Sequence, residues 1–334
     1  MSELVYYINY MQTYQMRINV SVVIPVYNVE PYIKRCVESL MSQTLKTGIE
    51  FIFVNDCSTD NSVNLIEEVV SCYSERKDQV RIIHHSSNKG LACTRLTGIK
   101  EAKGDYIIQC DSDDWVEKDM YETLINKATE TDADIVVCAF FHEFLHSQKI
   151  ESFEEKTPHE AILSKGGNYW WSTCNRLVKK SLYFDNDVFP IPDINMMEDV
   201  CVMMRLYYFA KRIEYVHQPL YHYDRTREGS LMHKACSTKS LLERKKCVDF
   251  LNAFFESNHF DFTEIYNLYK SNIRDSFLLQ NPPNWKEWRQ CYPETWKTVW
   301  ANKSLSLMYR LCYTLASWGI LTPFKLYTRK AKYR

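Results

Sequence analysis

The sequence predicts an α/β fold: a mostly parallel central sheet flanked by helices, with a helical C-terminal extension. Three observations predict it. Between Val20 and Phe141, β-branched apolar runs alternate with amphipathic stretches of helical period, a pattern that covers both faces of a parallel sheet. After about Phe144 the alternation stops, and beyond Ser237 the chain reads as helical.

The elements follow in order. "VSVVIPV" is the first strand, and Pro31 opens a helix whose apolar face carries Ile33, Val37, Leu40 and Met41. "EFIFVND" is the second strand, and Asp60 is placed to cap a helix bearing Val63, Ile66, Val69, Val70 and Tyr73. "VRIIHH" gives a third strand and "LACTRLTGIKEA" a helix; "DYIIQCD" is the fourth strand, Met120 to Ala128 a helix, and "ADIVVCAFF" a fifth strand. "YWWSTCNRLVKKSLYF" and "RIEYVHQPLYHYDRTREGS" read as strands and loops around a helix from about Glu198 to Ala210. Leu241, Val248, Leu251 and Phe255 share one helical face, Asn281-Pro282-Pro283-Asn284 is a break, and the tail ends in the basic "FKLYTRKAKYR".

Composition narrows the function. Hydrophobic content of 46% with 25% charged residues belongs to an ordinary folded chain. A formal net charge of −1 argues against a nucleic-acid partner held by phosphate contacts. The 23 Tyr, 16 Phe and 8 Trp suit a large core or a sugar-stacking surface. The 12 cysteines include no C-x-x-C pair and several lie on apolar runs, so they read as reduced core residues of a cytosolic protein. No basic start precedes an apolar block, and no run of about 20 apolar residues exists to span a bilayer. Residues 1–15 show no clear period and are expected to be dispensable, with Met16 an alternative start.

Ligands of such sheets bind at the C-terminal strand edges. With 8 glycines the chain has neither G-x-G-x-x-G nor G-x-x-x-x-G-K-[ST], which sets aside dinucleotide dehydrogenases and P-loop enzymes. Acidic and polar residues decorate the edges instead. Asp56, at a strand end, can accept a hydrogen bond from a ligand N–H or serve as a turn residue beside Ser58 and Asp60. "YIIQCDSDDW" sets Asp111, Asp113 and Asp114 directly after an apolar strand. Charges this close repel. A hard divalent cation, Mn²⁺ or Mg²⁺, would balance them through oxygen ligands shared with substrate phosphates.

Together "SVVIPVYNVEPYIKRCVESLMSQT", "EFIFVNDCSTDNS", "NKGLACTRLTGI", "GDYIIQCDSDDW" and "MEDV" resemble glycosyltransferase family 2 in order and spacing, over about Asn19 to Tyr223. The resemblance implies a GT-A fold and inverting, metal-dependent transfer from a nucleotide-sugar, with a UDP-sugar the expected donor. It sets Pro25, Tyr27, Asn28 and Glu30 beside the nucleoside, Asp56 at the uracil edge, and Arg95 near the base or the diphosphate. Asp111 and Asp113 become the metal and ribose carboxylates, with Ser112 among the donor contacts and Asp114 either structural or a support behind those contacts. One departure stands out: the family often has Arg-Asn where this chain has Arg95-Leu96.

Within that resemblance Asp199 is the expected general base, and Glu198 orients it or meets the acceptor. The competing reading is that both acids merely favour a helix N-terminus, worth about 0.3–1 kcal/mol each. "YHYDRTREGSLMH" resembles the loop that closes over the diphosphate, with Arg225, Arg227 and His233 as contacts and His233 also a metal ligand, or else a solvated surface segment. Trp170 and Trp171 can stack on an acceptor sugar or fill the core. The expected organisation is an extension (1–17), a nucleotide-sugar half (18–145), an acceptor half (146–235) and a helical region (236–334). The expected acceptor is a saccharide or lipid-linked saccharide of surface polysaccharide synthesis. The expected location is cytoplasmic, peripheral to the membrane through the apolar and basic tail. Two rivals remain, a sugar-phosphate nucleotidyltransferase and a non-catalytic sugar-nucleotide binder; "PVYNVEP" lacks the Gly-rich loop of the first.

Overall fold

The computed structural model describes residues 18–164, 171–227, 236–301 and 305–331. The chain divides between residues 228 and 229 into two compact units. In the first, β1 (Val20–Val26) and β2 (Ile49–Asn55) are buried at every position, as a continuous apolar run requires when helices cover both faces. β1 pairs in parallel with β2 and with β4 (Tyr106–Gln109), and β2 pairs in parallel with β3 (Val80–His84).

The connecting helices are α1 (Glu30–Met41), α2 (Ser62–Ser71) and α3 (Leu91–Glu101). α1 buries Ile33, Cys36, Val37, Leu40 and Met41, a face worth about 1.5–3 kcal/mol for each fully buried large aliphatic side chain. α3 packs so closely on β1 that a Cβ at Gly98 would lie 2.2 Å from a Val23 methyl. Asp60 misses the cap position by one residue. Asn61 holds it, while the Asp60 carboxylate accepts from Ser62 N–H and Oγ and from Glu30 N–H, fastening the β1 and β2 loops together.

Beyond the acidic stretch come β5 (Trp115–Val116), α4 (Met120–Thr131), β6 (Ile135–Phe144), β7 (Ser147–Glu151), α5 (Pro158–Ile162), β8 (Arg176–Lys179), α6 (Lys180–Phe184), α7 (Glu198–Phe209) and β9 (Ile213–Asp224). The sheet runs β3-β2-β1-β4-β8-β6-β9-β5, with β7 paired to β6. β8 lies antiparallel between β4 and β6, so the expected nucleotide and acceptor halves share one sheet. β5 pairs antiparallel with β9. It has two residues, too few to show any period in sequence.

The second unit is helical in its described part: α8 (Thr238–Ser257), α9 (Thr263–Ser276), α10 (Trp285–Gln290), α11 (Thr298–Ala301), α12 (Leu307–Ser317) and α13 (Thr322–Ala331). Leu241, Val248, Leu251 and Phe255 are its fully buried stripe on α8. The 281–284 break precedes α10. No described helix is long and apolar enough to cross a membrane.

Candidate active site

The site is built at the C-terminal ends of β1, β2 and β4. At the end of β1, Pro25 is buried within the strand and Tyr27 leaves its ring 46% exposed. Asn28 takes a left-handed backbone conformation, φ 48°. Its Oδ1 accepts from Thr59 N–H at 2.8 Å and its own N–H donates to Ser58 Oγ at 3.2 Å. Glu30 accepts from Asn61 N–H at 3.1 Å. Asn28 and Glu30 therefore tie the loop after β1 to the loop after β2.

Asp56 is almost fully buried. Its Oδ1 lies 2.7 Å from His85 Nδ1 and accepts from Lys89 N–H at 2.8 Å, and its Oδ2 accepts from Gly90 N–H at 2.8 Å. The carboxylate thus shapes the turn that starts α3, and any ligand N–H at this edge would share an oxygen already accepting from the protein. Gly90 is required there: its φ is +88°, and a Cβ would meet Asn195 Oδ1 at 2.7 Å. That same Asn195 oxygen accepts from Ala92 N–H at 3.0 Å, tying the start of α3 to the segment leading into α7.

Each aspartate after β4 has a different partner. Asp111 Oδ1 accepts from Arg95 Nη2 at 2.7 Å, and Asp113 Oδ2 accepts from Arg227 Nη1 at 2.6 Å. Asp114 is sealed inside: it accepts from Tyr221 Oη at 2.5 Å and from Asp224 N–H at 2.8 Å. Burial, with the Asp113 and Asp111 charges added, holds Asp114 well above the usual carboxylate range. Burial and the Asp111 charge also raise Asp113, against the pull of Arg227. Asp114 is the structural member of the three.

Arg95 is only 4% exposed and spans two carboxylates, donating from Nη2 to Asp111 and from Nη1 to Glu198 Oε1, each at 2.7 Å. This corrects the expectation that Arg95 reaches toward base or diphosphate, because its guanidinium is enclosed between protein acids. α7 begins at Glu198 after Met197 in a left-handed conformation, φ 65°. Both acids therefore lie at a helix N-terminus, where backbone N–H groups favour negative charge. Burial nonetheless pushes Glu198 up to about 8, opposed by Arg95 and assisted by Asp199. Burial also raises Asp199, again opposed by Arg95, while its Oδ1 accepts from Val200 N–H at 2.7 Å. A carboxylate with raised proton affinity is suited to take a proton near neutral pH.

Other expectations fare differently. Trp171 is 1% exposed and packs edge-on against Tyr207, ring centroids 5.5 Å apart. It is a core residue and not an acceptor platform. Ser112 is buried, at 4% exposure. Arg225 lies over the Phe144 and Tyr223 rings, at 5.9 and 5.5 Å. Trp170 and His233 lie outside the described residues. Sequence reasoning missed Tyr221, Asp224, Asn195 and Arg35; the last stacks 3.6 Å over Trp115 and donates to Asp113 O and Asp224 Oδ2. "YHYD" carries a regular polar alternation that marks a paired strand, but nothing local names Asp114 as its partner.

Among the described residues no three His, Cys, Asp or Glu side chains converge on a cation. The Asp111 and Asp113 side chains remain 31% and 16% exposed, so of the three aspartates theirs are the carboxylates within reach of a hard cation, for which such oxygen donors are suited.

A profile of Glycosyl transferase family 2 matches residues 21–200, over half of the chain. EpsH of Bacillus subtilis, named as a glycosyltransferase, is 33% identical over 216 residues, 61% of this chain and 60% of EpsH. The glycosyltransferase GlyG of Streptococcus pneumoniae is 33% identical over 227 residues, 64% of this chain and 72% of GlyG. The chain thus spans three-fifths to under three-quarters of the length of these relatives. Among solved structures, residues 1–349 of Staphylococcus aureus TarS in complex with UDP-GlcNAc superpose with a TM-score of 0.69 at 21% identity, covering 94% of this chain and 91% of that one. This likeness fixes the fold: α/β of GT-A type, with a helical C-terminal region. By the profile match and the motifs it spans, the chain belongs to glycosyl transferase family 2.

Proposed function

We propose that this chain is an inverting glycosyltransferase that moves a sugar from a UDP-sugar to a hydroxyl of a glycan or lipid-linked saccharide in surface polysaccharide synthesis. The observation that carries this reading is the Glu198–Arg95–Asp111 chain of ion pairs. It holds acids suited to proton removal beside acids suited to a cation-bound diphosphate. Family membership and the glycosyltransferase names of its relatives support sugar transfer over nucleotidyl transfer. The UDP-GlcNAc bound to TarS supports a uracil nucleotide.

In this mechanism Tyr27 offers its exposed ring to the base. Asp111 and Asp113 would hold Mn²⁺ or Mg²⁺, which when bound neutralises charge on the departing diphosphate. Asp199 accepts the proton of the acceptor hydroxyl as that oxygen bonds to the anomeric carbon and the bond to the diphosphate breaks on the opposite face. Exposed Leu307, Met308, Leu311 and Trp318 on and beside α12, followed by the basic end of the chain, support peripheral contact with the cytoplasmic membrane face. The test is incubation with a panel of UDP-sugars, Mn²⁺, and saccharide or lipid-linked acceptors, reading free UDP and the anomeric configuration of the product. Inverted product with UDP release supports the proposal. Pyrophosphate release, or tight donor binding with no turnover on any acceptor, defeats it.

A further inference from the structure

We infer that Arg227 competes with a divalent cation for Asp113, and that its transfer from Asp113 to the donor's diphosphate makes cation and nucleotide bind cooperatively. This rests on the sugar-nucleotide reading above and adds a coupling that the reading does not require.

Asp111 and Asp113 each hold a guanidinium, from Arg95 and Arg227. The four groups together are neutral, so a divalent cation arriving alone would leave a net charge of about +2 within a few ångströms, which Coulomb repulsion opposes. A cation arriving with a nucleoside diphosphate brings compensating negative charge, and the arrangement returns close to neutrality.

One of the two arginines is built to yield. Arg95 is enclosed and engaged at both ends, by Asp111 and Glu198 at 2.7 Å each. The Arg227 side chain is 24% exposed and has one carboxylate, Asp113 Oδ2 at 2.6 Å, with the Tyr32 ring 5.6 Å beneath its guanidinium. Its root is fixed by other bonds. Asp224 N–H donates to Asp114, and the Asp224 carboxylate accepts from Thr226 N–H and Oγ1 and from Arg35. The backbone just before Arg227 is therefore held while the side chain alone changes partner. A guanidinium binds carboxylate and phosphate by the same planar fork, so the diphosphate is an equivalent second partner.

The experiment measures Mn²⁺ binding to the full chain by electron paramagnetic resonance, with and without UDP, for the wild type, Arg227→Ala and Arg227→Lys. In the wild type UDP should tighten Mn²⁺ about 10-fold or more, within the usual range of coupling between sites. Arg227→Ala should bind Mn²⁺ alone about 5-fold tighter than the wild type, bind UDP more weakly, and lose most of the coupling. Arg227→Lys keeps the charge without the fork and should fall between. Unchanged or weaker binding of Mn²⁺ alone by Arg227→Ala overturns the inference, as does wild-type coupling in that variant. A wild type that binds UDP and turns over without taking Mn²⁺ overturns it while sugar transfer stands. No UDP binding and no turnover overturns both.

Discussion

Arg76 and Arg95 are both buried in the first unit, yet different chemistry surrounds them. Arg76 donates to the backbone carbonyls of Met41, Gln43 and Leu45 and to Gln79 Oε1. It stitches the end of α1 to the turn before β3, and burial lowers its proton affinity. Arg274 in the second unit follows the same plan, donating to Trp288 O, Thr295 Oγ1 and Ser317 Oγ. Arg95 has carboxylates instead. Burial alone would lower it, but Asp111 and Glu198 outweigh that and hold it well above its ordinary value. Neutral acceptors make a buried arginine a fastener. Carboxylate partners make it a link, because each acid it touches can change charge or ligand.

The strongest way to break that contrast is removal. Arg95→Met strands two acids and should cost about 3–5 kcal/mol of stability, the scale for removing one partner of a buried ion pair. The loss should shrink at pH 5.5, where the stranded acids protonate, and grow at pH 8.5. Arg76→Met strands carbonyls, at about 1–3 kcal/mol each, and its loss should be flat with pH. Urea unfolding at both pH values tests this, and a flat loss for Arg95→Met would break the comparison.

Next in size is Asp199→Asn, for which turnover should fall about 10²-fold or more while UDP-sugar binding persists. Turnover near the wild-type rate would move the base to Glu198. Wild-type turnover should also fall as pH drops through the raised proton affinity of the pair, because a protonated acid cannot take the acceptor's proton.

Glu198→Gln sharpens the contrast through stability. Glu198 is raised from 4.5 to about 8 in the folded chain, so its contribution is full below pH 4.5 and is lost as pH rises toward 8. The amide has no such titration. The fall in melting temperature between pH 5 and pH 9 should therefore be smaller in Glu198→Gln than in the wild type. Identical curves would show that Glu198 is not titrating from a buried site. The smallest effect expected is in the tail: truncation after Asn302 should weaken co-sedimentation with anionic vesicles at low salt, more than at high salt. Equal partitioning of both forms would assign the exposed apolar residues of α12 another purpose.

Legibility followed sequence distance. β1 and β2 were readable because burial on both faces leaves a continuous apolar run, and the acidic stretch after β4 because three carboxylates in four residues demand compensation. The motif singles out Asp199 as an acid at the start of a helix, where the structure places it. The partners were not legible. Arg95 meets Glu198 across 103 positions and Arg227 meets Asp113 across 114. No periodicity encodes such a pairing, since it depends on how strands order themselves in the sheet. Trp170 and Trp171 look alike in sequence, and only packing shows that Trp171 belongs to the core. Asp56 reads as a ligand contact or a turn residue from its place at a strand end, and its bonds to His85, Lys89 N–H and Gly90 N–H show the turn role, through partners that lie 29 to 34 positions on.

The bond between Asp114 and β9 bears on how such a protein can be recombined. Tyr221 Oη receives Asp111 N–H and donates to Asp114, while Asp224 N–H closes the same loop. A chimera that takes residues before β5 from one parent and β9 from another inherits the two sides of this lashing from different lineages. If the incoming strand lacks a phenol at position 221 or places proline at 224, where a backbone N–H is needed, the acidic loop loses its support even though every residue of the loop itself is intact. Exchange of this segment between relatives should therefore succeed when the breakpoints lie after Asp224, or when positions 114 and 221 are transferred as a pair.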